Sequence, residues 1–162
     1  MSSKLLHILL VFFFPALVAS QTIDRVYVIE RNKLASELNR EGKFDEAHKI
    51  LKDLLGLMEG QNADPKFFSS SYQTLAKVIQ YQGQYQQSLG IARKSLDISL
   101  KLKDSFNIAD SYNTIGINHY FLADYDSTTY YYQKSFDIKH QENEFLNSIK
   151  FLREECGAGL KS

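Results

Sequence analysis

The chain has 162 residues, with 19 Lys or Arg residues, 19 Asp or Glu residues and a single cysteine, Cys156. This near-neutral balance removes the electrostatic argument for binding nucleic acid or an anionic membrane surface. One cysteine excludes a disulfide within the chain, so packing has to stabilise the fold. The length suits a single domain.

The first 20 residues have the three-part organisation of a secretory signal peptide. Lys4 precedes an uninterrupted apolar run over residues 8–14, and small residues lead into a polar stretch that starts at Gln21. We predict cleavage after Ser20 or Ala19, and therefore an exported protein that is periplasmic in a bacterium. The apolar run is shorter than the roughly 20 residues of a membrane span, and Pro15 interrupts it, which leaves a retained anchor as the alternative.

The rest of the chain, residues 21–162, has the apolar spacing of helices throughout. Apolar residues recur at intervals of three and four, which is the spacing of one helix face, and Pro65 is the only proline. Asp64 followed by Pro65 predicts a helix start, because Asp caps a helix and proline suits its first position. The pattern predicts helices over residues 23–41, 44–58, 65–82, 85–102, 105–122, 125–140 and 142–157.

These helices belong to a repeat. The anchor positions Gly42, Gly83 and Ala123 are separated by steps of 41 and 40, within the range of stacked repeat architectures. The residues around each anchor recur in kind. An aromatic residue follows it by two positions, a small residue follows by five, and another small residue precedes it by seven: Phe44, Tyr85 and Tyr125; Ala47, Ser88 and Thr128; Ala35, Ala76 and Gly116.

This pattern resembles the tetratricopeptide repeat, which consists of two antiparallel helices per unit. The resemblance covers residues 25–140 and implies an all-α fold, a right-handed α-solenoid with units over 25–64, 65–104 and 105–141 and a half unit over 142–157. The usual closing proline is missing and the period exceeds the common value of about 34. In its longer period the chain is similar to the repeat segments of exported bacterial signalling proteins.

The C-terminal segment carries an apolar stripe of its own. Phe145, Ile149, Leu152 and Cys156 are spaced four, three and four apart, with polar residues between them. A repeat array needs a polar outer face on its last unit, so we predict a capping helix over 142–157 packed against the third unit. An interrupted fourth repeat is the alternative, since Cys156 falls at the small-residue position.

No residue set predicts catalysis or a cofactor. His48, His119 and His140 lack the paired spacing of a metal site, and His119 is predicted to lie in the core or the groove. Cys156 has no associated base and fits a packing position. We therefore expect a protein that is not an enzyme and contains no metal and no cofactor.

The resemblance implies that the first helix of each unit lines a concave protein-binding face. Residues at the corresponding positions are amides, aromatics and a few others: Asn32, Ser36, Asn39, Gln73, Lys77, Gln80, Asn113, Ile117, Tyr120 and Phe121. Amides beside aromatics suit a peptide or a helix held in a groove. The alternative is that these are ordinary solvated helix positions.

The subclass that grips a C-terminal carboxylate is excluded by its missing residues. The places of its basic and Asn side chains hold Asn32, Ser36, Thr74, Asp110 and Thr114, and Asp110 would repel a carboxylate.

The sequence therefore favours an exported, non-catalytic interaction scaffold that binds a protein or peptide. It predicts no nucleic-acid partner and no membrane association after signal cleavage, and it leaves the oligomeric state open. The alternative is a truncated sensory or input segment of a membrane-bound histidine kinase or transcriptional regulator.

Overall fold

A computed structural model describes the backbone of residues 23–159 and the side chains of residues 23–144. This part of the chain contains no strand and consists of six helices: α1 (Arg25–Arg40), α2 (Phe44–Gly60), α3 (Pro65–Tyr81), α4 (Tyr85–Leu102), α5 (Ser105–Phe121) and α6 (Tyr125–Gly159). Each helix packs on the next, and α3 also contacts α1 and α5. The predicted all-α solenoid of helix pairs is confirmed, with α1, α3 and α5 as the first helices of three units.

Aspartates start the first helix of every unit. The side chains of Asp24, Asp64 and Asp104 accept hydrogen bonds from backbone N–H groups of the following turn, at 2.7, 3.0 and 3.1 Å. Each cap satisfies one of the N–H groups that have no partner within the helix, which fixes where the helix begins. The prediction of a helix start at Asp64 and Pro65 is confirmed.

The repeat anchors are the residues that reverse the chain between the two helices of a unit. Gly42 and Gly83 both have φ of 76°, and Ala123 has φ of 59°. The left-handed conformation costs glycine little, but it places the Cβ of any other residue too close to the carbonyl that follows. The third unit therefore makes the same turn as the other two with a strained residue.

Two cores of different chemistry hold the units together. The first core lies between α1, α2 and α3 and contains large aliphatic side chains, among them Leu51, Leu54 and Met58. The second core lies between α3, α4 and α5 and has fewer and smaller apolar residues. There, buried serines replace them: Ser69, Ser95 and Ser99 hydrogen-bond to one another between α3 and α4, and Ser111 of α5 donates to Ser95. The junction between the second and third units (the second junction) therefore depends more on hydrogen bonds than the junction between the first and second units (the first junction) does.

The prediction of a separate capping helix is wrong. Residues 125–140 and 142–157 form one helix, α6, and among the described residues it contacts α5 alone. The physical reason is that the stretch around residue 141 contains no glycine or proline to end a helix. The side chains of the apolar stripe from Phe145 onward lie outside the described residues.

The predicted signal peptide, residues 1–20, also lies outside the described residues. Among the helices that are described, none combines the length and the apolar character that crossing a membrane requires.

Candidate functional site

One of the predicted groove residues is in fact an interhelix contact. Gln73 on α3 is 3% exposed, and its Nε2 lies 2.9 Å from the backbone oxygen of Asp110, 3.0 Å from its Oδ2 and 2.7 Å from Oγ1 of Thr114. The Ser111 hydroxyl donates to Gln73 Oε1 at 3.3 Å. The prediction that Gln73 faces a ligand is therefore wrong, because its polar atoms are buried and already bonded to α5.

Lys77 and Gln80 continue the same contact along α3. Lys77 Nζ lies 2.6 Å from Asp110 Oδ2, and Gln80 Nε2 donates to Asn118 Oδ1 at 3.0 Å. Both side chains remain partly exposed, so they can still border a groove. With Gln73 they form a polar seam between the first helices of the second and third units.

The predicted residues on α1 are arranged differently. Asn32 Nδ2 donates to Ser71 Oγ on α3 at 3.1 Å, and the Ser36 hydroxyl donates to the backbone oxygen of Asn32. The side-chain oxygens of Asn32 and Asn39 are both buried without a hydrogen-bond partner among the described residues. Because both oxygens lie below the surface, a bound partner does not reach them in this arrangement.

An aromatic cluster, defined as Tyr85, Tyr120, Phe121 and Tyr125, lies where α5 ends and where α4 and α6 begin. Phe121 stacks on Tyr85 with ring centroids 4.6 Å apart. Tyr120 meets Phe121 at 5.5 Å and Tyr125 at 6.0 Å, both in edge-on geometry. Tyr120 is 52% exposed and Phe121 53%. Four rings from two units therefore form one contiguous surface, in which Tyr85 is half-buried and the other three are exposed.

The sequence predicted two members of this cluster and missed the others. Tyr85 and Tyr125 are the aromatic residues that follow the repeat anchors, and they were not among the predicted groove residues. Tyr125 is largely exposed, and Tyr85 packs against a residue of the next unit. The signal that could have found them is the adjacency of aromatics at the end of one helix and the start of the next.

The two remaining predicted residues, Asn113 and Ile117, lie on α5 and are both partly buried. Asn113 borders a C-terminal groove of about 500 Å³ between α5 and α6, which is separate from the aromatic cluster. The other residues lining this groove are Tyr132, Ser135, Phe136, Lys139, His140 and Asn143.

His119 is confirmed as a core residue. It is buried, its ring stacks on Tyr131 with centroids 5.4 Å apart, and its Nδ1 lies 3.0 Å from Asp124 Oδ2. Hydrogen bonds from the Ser127 hydroxyl and backbone N–H, together with His119, lower the pKa of Asp124 below its usual 3.8. Asp124 thus caps α6 as a carboxylate. No group of three His, Cys, Asp or Glu residues in the described part of the chain could hold a metal ion.

Comparison with known proteins agrees with this geometry. The family model described as "Tetratricopeptide repeat" matches residues 68–141. Among solved structures, the TPR domain of Arabidopsis FLU superposes with a TM-score of 0.64 at 20% identity, covering 70% of this chain and 95% of that one. No curated protein sequence matches. The family match identifies residues 68–141 as tetratricopeptide repeat sequence, and the stacked helix pairs of the described residues have the fold of a TPR domain.

Proposed function

We propose that the chain is an exported, non-catalytic scaffold that holds a peptide or helix of another protein on its first-helix face. The tetratricopeptide fold itself suggests a protein-interaction scaffold. The observation that carries the finer proposal is the aromatic cluster. Exposed aromatic residues that touch one another are typical of the residues that dominate binding energy at protein interfaces.

The cluster is suited to binding because its rings are already in position. Phe121 is held by Tyr85, and Tyr120 is held between Phe121 and Tyr125. Side chains that are immobile before binding lose less conformational entropy when a partner arrives. The partner would contribute an apolar side chain to the surface formed by these rings.

The test begins with capture of a partner from a periplasmic extract and continues with titration of that partner by calorimetry. Replacing Tyr120 and Phe121 together by Ala should weaken binding by about 2 kcal/mol or more, since both are expected to be central contacts. The matched control is Phe106→Ala, because Phe106 is an aromatic residue on the same helix, 70% exposed and at its other end.

The proposal is wrong if the double variant retains its helical circular dichroism and binds the partner as tightly as the Phe106→Ala control. Export has its own measurement. The intact mass of the protein recovered from the periplasm should correspond to a chain beginning at Gln21 or Ser20.

A second candidate function, a sensory input segment, is favoured by the length of α6. This helix has 35 residues, whereas the other five have 16 to 18. A helix that continues past its partner α5 could transmit a change in the repeat domain to a following module. The genomic sequence beyond Ser162 discriminates the two functions, because an input segment requires a kinase or regulator domain there.

A further inference from the structure

The C-terminal groove occupies the next position in the series of stacked helices. Each added unit places its first helix against both helices of the unit before it, as α5 does on α3 and α4. Gln73, Ser95 and Leu96 are among the residues that receive α5. One repeat step further along the chain, Asn113, Ser135 and Phe136 line the groove. The groove is therefore a copy of an existing helix-binding surface.

The opposite end of the solenoid presents a helix of the matching kind. α1 is the first helix of the first unit, and no residue of the described part of the chain covers the face that α3 and α5 turn toward a preceding unit. Val26, Ile29 and Leu34 on this side of α1 are exposed apolar residues. Glu30 and Lys33 lie between them and are also exposed.

We propose that a second copy of this chain inserts its α1 into the C-terminal groove, so that molecules associate head to tail. The first-helix layer would then continue from α5 of one molecule to α1 of the next. This proposal does not depend on the partner-binding role of the aromatic cluster, although the repeat register places Tyr120, one step from Gln80, at the edge of the new junction.

The repeat register predicts which residues meet. The α1 of the inserted molecule would lie against α5 of the molecule that receives it in the same way that α5 lies against α3 within one molecule. In the existing junction, Asp110 is paired with Lys77. In the new junction, Ile29 takes the place of Asp110 and Ile117 takes the place of Lys77. An ion pair is thus replaced by two isoleucines. Lys33 and Glu37 take the buried places of Thr114 and Asn118, and they enter the junction as a pair whose Nζ and Oε1 atoms are 4.0 Å apart.

The apolar centre of the junction also has a counterpart. Ile115 of α5 is fully buried in the second core with Ala92 and Leu96. Leu34 takes the place of Ile115, and the residues one repeat step from Ala92 and Leu96 are Tyr132 and Phe136. Both aromatic rings are exposed at the groove, so the insertion of Leu34 would remove apolar surface from water on both molecules.

Charge complementarity favours the same arrangement. Glu30 takes the place of Ser111, which contacts Gln73 and Ser95 in the existing junction. Its carboxylate would therefore lie near Asn113 and Ser135, one helical turn from Lys139 on α6. Lys139 borders the groove and has no ion-pair partner among residues 23–144. Glu30 of one molecule and Lys139 of the next would therefore attract each other across the junction.

Such an interface is heterologous, since the two molecules contribute different surfaces. Each molecule keeps one free groove and one free α1 after pairing, so association continues beyond a dimer with increasing concentration.

Two charge insertions test the proposal, each in the full chain expressed with its own leader and checked by intact mass and circular dichroism. Phe136→Glu blocks the groove, and Ile29→Glu blocks α1. The matched control is Tyr130→Glu, because Tyr130 is 56% exposed, close to the 60% of Phe136, and lies on the side of α6 away from the groove. Sedimentation velocity over a series of concentrations gives the mass of each species.

We expect the unsubstituted chain and Tyr130→Glu to form species larger than a dimer, and each blocking variant alone to associate at least about tenfold more weakly. An equimolar mixture of the two blocking variants should form a dimer and stop there, because only one competent groove and one competent α1 can meet. The proposal is overturned if the unsubstituted chain stays monomeric throughout, if Ile29→Glu associates like the unsubstituted chain, or if the mixture forms no dimer.

Discussion

Replacing Gln73 by Ala should selectively weaken the junction between the second and third units. Its one side-chain amide contacts Asp110 and Thr114, and its oxygen accepts from Ser111, so a single residue joins α3 to three positions of α5. Gln73 is almost fully buried, so water cannot replace these partners without entering the seam.

The magnitude follows from the hydrogen bonds that can exist at once. An amide NH₂ has two hydrogens, so two of its three donor contacts and the one acceptor contact can form fully. Each is worth about 0.5–1.5 kcal/mol net, with more for the contact to the Asp110 carboxylate. The variant should lose about 2–4 kcal/mol of unfolding free energy, a large part of the roughly 5–15 kcal/mol that a domain has.

The assay is urea denaturation followed by far-ultraviolet circular dichroism, combined with native-state hydrogen exchange. Amides of α5 and the first half of α6 should exchange faster in the variant, whereas amides of α2 should change little because the first core is untouched. Gln73→Met separates the causes, because it keeps most of the volume but none of the hydrogen bonds. Gln86→Ala, at an exposed position of α4, controls for removing a glutamine.

The reasoning is refuted if Gln73→Ala and Gln86→Ala have the same unfolding free energy. It is also refuted if exchange accelerates equally in α2 and α5, because the loss would then be global rather than confined to one junction.

Two further predictions concern the turn and the cap that begin α6. Ala123→Gly should stabilise the protein by about 0.5–1 kcal/mol, because glycine relieves the left-handed strain at a small entropic cost. Gly83→Ala at the equivalent turn should destabilise it by a similar amount. Thermal or urea unfolding measures both changes, and changes of the same sign would contradict the prediction. Asp124→Asn should be less stable than the unsubstituted chain at neutral pH. Since the pKa of Asp124 is lowered on folding, its stabilising effect is present above 3.8 and is lost as pH falls through the lower folded value. The difference between the two proteins in unfolding free energy should therefore shrink in acid, and a difference that is constant with pH would show that the charge contributes nothing.

Helix positions were predictable because local signals determine them. The five helices expected over 23–41, 44–58, 65–82, 85–102 and 105–122 agree with the observed bounds within two residues at each end. Asp64 with Pro65 caps one helix and Gly83 reverses the chain after it, and each acts through its own backbone neighbours. Neither signal depends on which helix packs where.

The polar seam could not be predicted in the same way. Gln73 and Asp110 are far apart in sequence, and both carry polar side chains that periodicity assigns to a solvated face. Their burial results from the close approach of α3 and α5, where small residues leave space that hydrogen-bonded side chains fill. A polar residue at a first-helix position therefore has two possible roles, and only the distance between helices decides which it has.

The long α6 was missed for a related reason. The break near residue 141 was inferred from the repeat period, which predicts where a turn belongs if another unit follows. The stretch from Lys139 to Glu144 contains no residue that opposes a helix, so local propensity prevails where no packed unit enforces the turn. Periodicity locates turns reliably only where the chain also supplies a glycine or a cap.

The uneven distribution of packing bears on where a partner would act. The first junction is held by large aliphatic side chains, and the second by serines and the seam around Gln73, so the second junction has less apolar area to keep it closed. The aromatic cluster spans this weaker junction, because Tyr85 belongs to the second unit and Phe121 to the third.

A ligand bound across both rings gains affinity only in molecules whose junction is closed, so its binding free energy must add to the stability of that junction. The reverse also holds. A variant that loosens the seam, such as Gln73→Ala, lowers the fraction of molecules able to bind, and it weakens the affinity for the partner without removing any contact to it. A position far from the cluster can therefore affect affinity through the fold, and measuring binding and junction stability in the same variant separates that route from a direct contact.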